Sequence, residues 1–238
     1  MNLRIAAYNL LAGGSAKRAG HWMMVRDHIA PDILLTQECK APDAEQFPHK
    51  TKIWTEAVKR RWGTALVATS LDVTPVTVRG FRGWITGGEV DVGSARPLRI
   101  FSVHIPAGEH GYVRTVHRMI DRLKPHARVA DLILGGDFNV AVGFREPGDV
   151  PGMSPGERKV LTRLVEELDL FPCWQTHHPG KPLAQTLRWT GNRAAPYHCD
   201  GIFAPSSWRD RLQSCEVVAG SEWDRLSDHN PIVAEFSL

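Results

Sequence analysis

Gly135-Gly136-Asp137-Phe138-Asn139 follows directly on the apolar run 131–134. A short apolar run bounded by glycines reads as a buried strand, so its exit carries a carboxylate and a carboxamide. Residues of these types also make Asx turns with no chemistry attached. The same placement recurs elsewhere in the chain. Asn9 stands at the end of the strand-like run 3–10, and Gln37-Glu38 end the apolar run 33–36. Ser227-Asp228-His229-Asn230-Pro231 lead into the last strand, 232–236. Each piece alone fits a solvated loop; together they put polar groups at successive strand ends.

Outward from these pieces, residues 19–29 carry helical periodicity after a Gly13-Gly14 loop, and Pro31-Asp32 break that helix. Residues 62–69, 74–79, 88–92 and 98–104 are β-like runs separated by Gly, Pro and Asp. Such spacing predicts a meander and a mostly antiparallel sheet rather than repeated βαβ units. Residues 112–123 are helical in period, Ser154-Pro155 mark the start of a helix over 157–168, and 201–203 form another strand. Blocks of strands alternating with helices, without repeat or linker, predict two sheets packed face to face with helices outside.

Length and composition fit a single domain over 1–238, with 42% hydrophobic and 23% charged residues in ordinary globular proportion. A formal charge of +3 is too small to argue for a polyanionic partner without a local patch. Cys39, Cys173, Cys199 and Cys215 lie far apart, which excludes zinc-ribbon and redox-pair spacing and predicts buried core thiols. Residues 1–11 lack the basic start and cleavage site of a signal peptide, and no run approaches the ~20 apolar residues of a membrane span. A cytoplasmic protein without membrane association is the expectation.

In chain order the pieces read Asn9, Glu38, Asp137-Phe138-Asn139 and Asp228-His229. This ordered set resembles the endonuclease/exonuclease/phosphatase superfamily across nearly the whole chain. Trp62-Gly63-Thr64-Ala65-Leu66 looks like that family's glycine-bearing core strand, and Ser102-Val103-His104-Ile105-Pro106 like its central strand. Tyr197-His198-Cys199-Asp200-Gly201-Ile202 looks like its aspartate-bearing strand. The resemblance implies an α/β fold, a four-layer α/β/β/α sandwich of two mostly antiparallel sheets. It also implies a divalent-metal-dependent phosphodiester hydrolase.

Mg²⁺ or Mn²⁺ would be held by Asn9, Glu38 and Asp228, with Glu38 supplying the hard anionic oxygen such ions prefer. Asp137 could approach the ion too, and is the implied base or water-orienting group. Asn139 would fix the nucleophile or a phosphate oxygen, and Asp200 would pair with His229. Whether Asp137 or His229 takes the proton stays open in the sequence. His104 completes the catalytic set as a donor to phosphate.

Abasic-site endonucleases of the family place a tyrosine where this chain has His104 and a tryptophan where it has Tyr197. Abasic-site cleavage is therefore in doubt, and a flipped-base pocket is not supported. Arg114, Arg118 and Arg122 form a basic stripe at four-residue spacing. The resemblance puts the loop before this helix near the cleft, which assigns Arg114 to substrate phosphate, and it implies Trp189 and Tyr197 as further substrate-binding candidates. Lys50, Lys52, Lys59, Arg60 and Arg61 surround Trp54 and Trp62 and predict a polyanion groove. The leading expectation is a nuclease with nucleic acid, DNA or RNA, as its substrate. The alternative is a phosphatase or phosphodiesterase acting on a small-molecule or lipid-derived phosphoester; a catalytically silent polyanion-binding module ranks third. A zinc enzyme is not expected, since the histidines form no ligand triad.

Overall fold

In the computed structural model, which describes residues 2–13, 20–93 and 96–238, Leu3, Ile5 and Ala7 join one buried cluster and Ala6, Tyr8 and Leu10 another. A strand buried on both faces must have a layer on each side. Gly14 and Ala19, expected in the first loop and helix, lie outside the described residues.

The first half of the chain forms β1 (Asn2–Asn9), α1 (Gly20–Met24) continued by a π turn (Val25–Ile29), β2 (Ile33–Cys39), β3 (Thr51–Glu56), β4 (Gly63–Ala68), β5 (Val73–Val76), β6 (Ile85–Val90) and β7 (Leu98–His104). Then come α2 (Gly111–Ala127), β8 (Asp131–Asp137), α3 (Pro155–Leu168), β9 (Leu170–Pro172), α4 (Cys173–His177) and β10 (Asp200–Pro205). A 3-10 turn (Ser206–Arg211), β11 (Leu212–Val217), α5 (Ser221–Asp224) and β12 (Ile232–Ser237) complete it.

One sheet has the order β11-β12-β1-β2-β4-β3 and the other β5-β6-β7-β8-β10-β9. Within each, every pairing is antiparallel except β1 with β2 and β7 with β8. Ile5, Leu35 and Leu66 of the first sheet pack on Ile100, Ile133 and Ile202 of the second. Trp22 and Val25 cover the outer face of the first sheet. Val116, Met119, Ile120 and Leu123 of α2 cover that of the second, together with Val160, Leu161 and Leu164 of α3. The result is the helix, sheet, sheet, helix order expected. Each such fully buried side chain contributes about 1.5–3 kcal/mol of transfer free energy.

α3 starts where the sequence places its signal. Ser154 accepts from the Glu157 N–H, Glu157 reaches back to the Ser154 N–H, and Pro155 occupies the first turn. Other boundaries differ. β6 begins at Ile85, three residues ahead of the run read from sequence, because Gly87 and Gly88 interrupt its apolar pattern. Those glycines leave room for Phe101 and Val73, on which a Cβ would stand 2.4 and 2.1 Å away. β3 and β11 lie outside the expected set: both are edge strands with few fully buried residues, so neither carries a strong apolar alternation. The four cysteines are free and buried. Among the described residues no helix is long and apolar enough to cross a membrane.

The two parallel pairs bring the C-terminal ends of β1, β2, β7 and β8 to the same end of the sandwich. The antiparallel β10 and β12 begin there, and Asp137 pairs directly with His104 on one side and Asp200 on the other.

Candidate active site

Asp137 stands at the centre of this end and is buried. Its Oδ1 accepts the Asn139 backbone N–H at 2.9 Å, while Oδ2 accepts Nδ2 of Asn139 at 3.1 Å and of Asn9 at 3.0 Å. The Asx turn expected of Asp137-Phe138-Asn139 is therefore present, and it holds the two side chains together. Asn139 takes the left-handed backbone conformation at φ +53°, which asparagine tolerates well. Burial pushes the Asp137 carboxyl above its ordinary pKa, with Asp200 adding to the rise; His229 and His104 oppose it.

Gly136 cannot be replaced cheaply. It sits at φ +143°, and a Cβ there would lie 2.1 Å from the Val103 carbonyl oxygen and 2.7 Å from Nε2 of Gln37. Gly136→Ala is expected to destabilise the fold by about 3 kcal/mol, combining backbone strain with overpacking. A lowered urea midpoint at unchanged slope checks this, and an unmoved midpoint contradicts it.

Glu38 projects from a bulge near the end of β2, where register with β4 is lost between Thr36 and Cys39 and φ is +48°. Burial raises its pKa, and Asp137 and Asp228 raise it further against the pull of His229 and a hydrogen bond from Asn9. Asp228 Oδ1 is buried without a hydrogen-bond partner among the described residues. Crowded carboxylates with an orphaned oxygen fit a hard divalent cation, which would satisfy the oxygen and relieve the repulsion. Asn9, placed between Glu38 and Asp137, turns its amide nitrogen to Asp137 and gives its oxygen to the Leu11 N–H at 3.0 Å. As placed, it serves these carboxylates as a donor.

His229 presents Nδ1 to Asp200, at 2.8 Å from Oδ2 and 3.1 Å from Oδ1. Burial alone would lower its pKa; the Asp200 and Asp137 carboxylates override that and hold it up at about 10. Nε2 is then free to face the cleft, 3.9 Å from Asp137 and 3.8 Å from Asp228. His104 behaves oppositely. Burial lowers its pKa to about 4, so the ring is neutral near pH 7. Trp62 and Trp84 flank it, each with a centroid 5.3 Å away, and Nε2 stands 3.6 Å from Asp137 and 3.7 Å from Glu38.

Residues given no role in the sequence reading hold this arrangement. Thr186 Oγ1 accepts the backbone N–H groups of Cys199 and Asp200, both at 3.0 Å. The Ser227 hydroxyl donates to the Asn9 carbonyl at 2.8 Å and accepts from the His229 N–H at 3.1 Å, tying the last loop to β1. Buried Arg188 donates to the Ser227 carbonyl at 2.6 Å and to the Asn230 side chain. It clamps the loop that carries Asp228 and His229.

The outlying candidates are spread more widely. Trp189 and Tyr197 meet edge to face at 5.9 Å and border a cavity of about 460 Å³ that reaches Asn139 and Cys199. The Arg114 side chain is exposed on α2 and among the described residues makes no hydrogen bond or ion pair. The basic segment before Trp62 does not form one groove. Lys50 pairs with Asp72, Lys52 donates to the Pro42 carbonyl, and Trp54 packs against the core under α1. Arg60 differs, lying over the Trp62 ring at 5.5 Å, near enough to His104 for its charge to lower that imidazole's pKa.

No protein-family model matches the sequence, and no curated protein matches it. Solved structures do. The whole chain superposes on 88% of an AP endonuclease from Leishmania major, with a TM-score of 0.77 and 16% identity. For 99% of the chain the match extends to all of an AP endonuclease from Archaeoglobus fulgidus, with a TM-score of 0.73 and 18% identity. It extends equally to all of the 3′ phosphatase NExo from Neisseria bound to product DNA hairpin, with a TM-score of 0.72 and 18% identity. The fold these structures share with the chain is the DNase-I-like sandwich of two sheets. With so few identities the likeness speaks for the DNase-I-like framework, and the chemistry rests on the residues this chain places on it.

Proposed function

We propose that this chain is a divalent-cation-dependent phosphodiester hydrolase, a nuclease acting on DNA or RNA. One observation carries the reading: Glu38, Asp137 and Asp228 converge with the Asp200–His229 pair at one end of the sandwich. Phosphodiester hydrolysis needs charge offset at the phosphoryl oxygens, an oriented water and donors for the charge that develops.

Glu38 and Asp228, with Asn9 beside them, would hold Mg²⁺ or Mn²⁺. Bound there, the ion would offset phosphoryl charge. Asp137 is the base: its raised pKa brings its basicity nearer to neutral pH, and Asn139 and Asn9 lock its orientation. His229, held cationic by Asp200, donates from Nε2 to a phosphoryl oxygen. Neutral His104 supplies a ring N–H beside it. Arg114 and Arg60 meet flanking phosphates, and Trp189 and Tyr197 line the space next to the scissile group. The size of that cavity, about 460 Å³, favours as a second reading a phosphomonoester or small phosphodiester with one compact organic group.

The deciding experiment measures hydrolysis of single- and double-stranded DNA, RNA, bis-para-nitrophenyl phosphate and an inositol phosphate, with Mg²⁺ or Mn²⁺ against EDTA. Polynucleotide cleavage that EDTA abolishes and Glu38→Ala loses is the expected result. Turnover of the small esters alone moves the assignment to the second reading, and no turnover at all leaves a binding module. For Arg60→Ala, KM for a polynucleotide should rise several-fold. The slope of log KM against log salt concentration should fall by about one, as for one lost phosphate contact. An unchanged salt slope takes Arg60 out of the substrate path.

A further inference from the structure

Cys199 brings a thiol into a site otherwise built from oxygen and nitrogen. It precedes Asp200, lines the cavity beside Asn139, and donates its S–H to Asp200 Oδ2 at 3.6 Å. One donor atom each from Asp137, Cys199 and His229 lies within 4.8 Å of the others, and all three residues are buried. A tetrahedral ion bound by a carboxylate, a thiolate and an imidazole would need these atoms to close in by only about 1 Å, given metal–ligand distances of ~2.0–2.3 Å.

The chemistry of the donors selects the ion. Sulfur and imidazole suit Zn²⁺ or Cd²⁺, whereas Mg²⁺ takes oxygen almost exclusively. The second layer is in place too: Asp200 holds Nδ1 of His229, which leaves Nε2 without a hydrogen bond among the described residues. A carboxylate behind the imidazole fixes the ring and makes it a better ligand. Three protein ligands would leave a fourth position for solvent.

We propose that Asp137, Cys199 and His229 form an inhibitory site for a soft divalent ion, Zn²⁺ or Cd²⁺, distinct in chemistry from the oxygen-rich set of Glu38 and Asp228. Binding forms a metal–sulfur and a metal–nitrogen bond and releases two protons to solvent, one from the thiol and one from Nε2 of the His229 cation. It occupies both Asp137 and His229. The inhibitory consequence rests on the function proposed above; the binding itself does not.

The test titrates the full chain with Cd²⁺ in excess Mg²⁺ and follows the ultraviolet charge-transfer absorption of a cadmium–thiolate bond. The parent should gain this band at one equivalent. Cys199→Ser, which keeps a donor toward Asp200, should lack it, as should Cys199→Ala if the serine variant unfolds. The same band in a folded Cys199 variant, or none in the parent, overturns the proposal. Zn²⁺ should also inhibit the parent in excess Mg²⁺, and loss of the sulfur should raise the inhibitory concentration about a hundredfold, since even outer-layer partners of a metal site are worth about 10–100-fold in affinity. Equal inhibition of parent and variant overturns the inhibitory role. If the parent hydrolyses nothing, the catalytic reading fails while the cadmium band still decides the site.

Discussion

Asp137→Asn is expected to lower phosphodiester turnover about a thousandfold or more, with kcat and kcat/KM falling together because the lost interaction belongs to the transition state. The substitution keeps the volume and removes the carboxylate proposed as the base. It also meets two amide donors, from Asn9 and Asn139, that were aimed at Oδ2. One mismatched donor pair costs about 1–3 kcal/mol. Against that, the buried charge beside Asp200 disappears, so thermal unfolding should move only modestly. The pH profile adds a second reading. Burial raises the Asp137 pKa, so its ionised, working form is lost as pH falls through a value above the ordinary carboxylate range. The acid limb of the parent should therefore sit above that range, and it should vanish in the residual activity of the variant. Turnover within tenfold of the parent would shift the role of base to His229.

Which parts of this site a sequence reveals depends on how local their causes are. Asp137 and Asn139 are legible because a glycine pair and an Asx turn interrupt an apolar run, and the structure keeps the turn. Glu38 is legible as the end of β2, but its orientation comes from a bulge against β4, a relation between strands far apart in sequence. Trp84 gives no sequence signal because the strand it introduces, β6, is masked by Gly87 and Gly88. Only pairing of β6 with β7, where the His104 N–H donates to the Trp84 carbonyl, brings that indole onto His104. Thr186 and Arg188 carry no local signal at all. Their roles consist of contacts to Asp200, Ser227 and Asn230, and polar loop residues of these types are ordinarily solvated. The layer order needed the family resemblance, since strand periodicity gives faces and not partners.

Asp200→Asn should be nearly as damaging as loss of Asp137, for a reason that pH exposes. In the parent, burial works against a charged His229 and the carboxylates of Asp200 and Asp137 overcome it, holding the pKa at about 10. An asparagine removes the stronger of these two partners and can present an amide N–H to the ring, favouring the wrong tautomer. Burial then dominates and the pKa drops below the ordinary imidazole value of about 6.5. Turnover near pH 7.5 should fall about a hundred- to ten-thousandfold. The alkaline limb should move from near pH 10 to below about 6.5, so acidification recovers part of the loss. Stability follows the same proton. A folded-state pKa raised above the unfolded value gives stability that is fully present below about 6.5 and is lost as pH rises through about 10. Urea midpoints of the parent should therefore decline across that window, and those of Asp200→Asn should not. An alkaline limb that stays near pH 10 in the variant would mean that His229 does not act as the cation, and that Asp200 serves only to hold its ring.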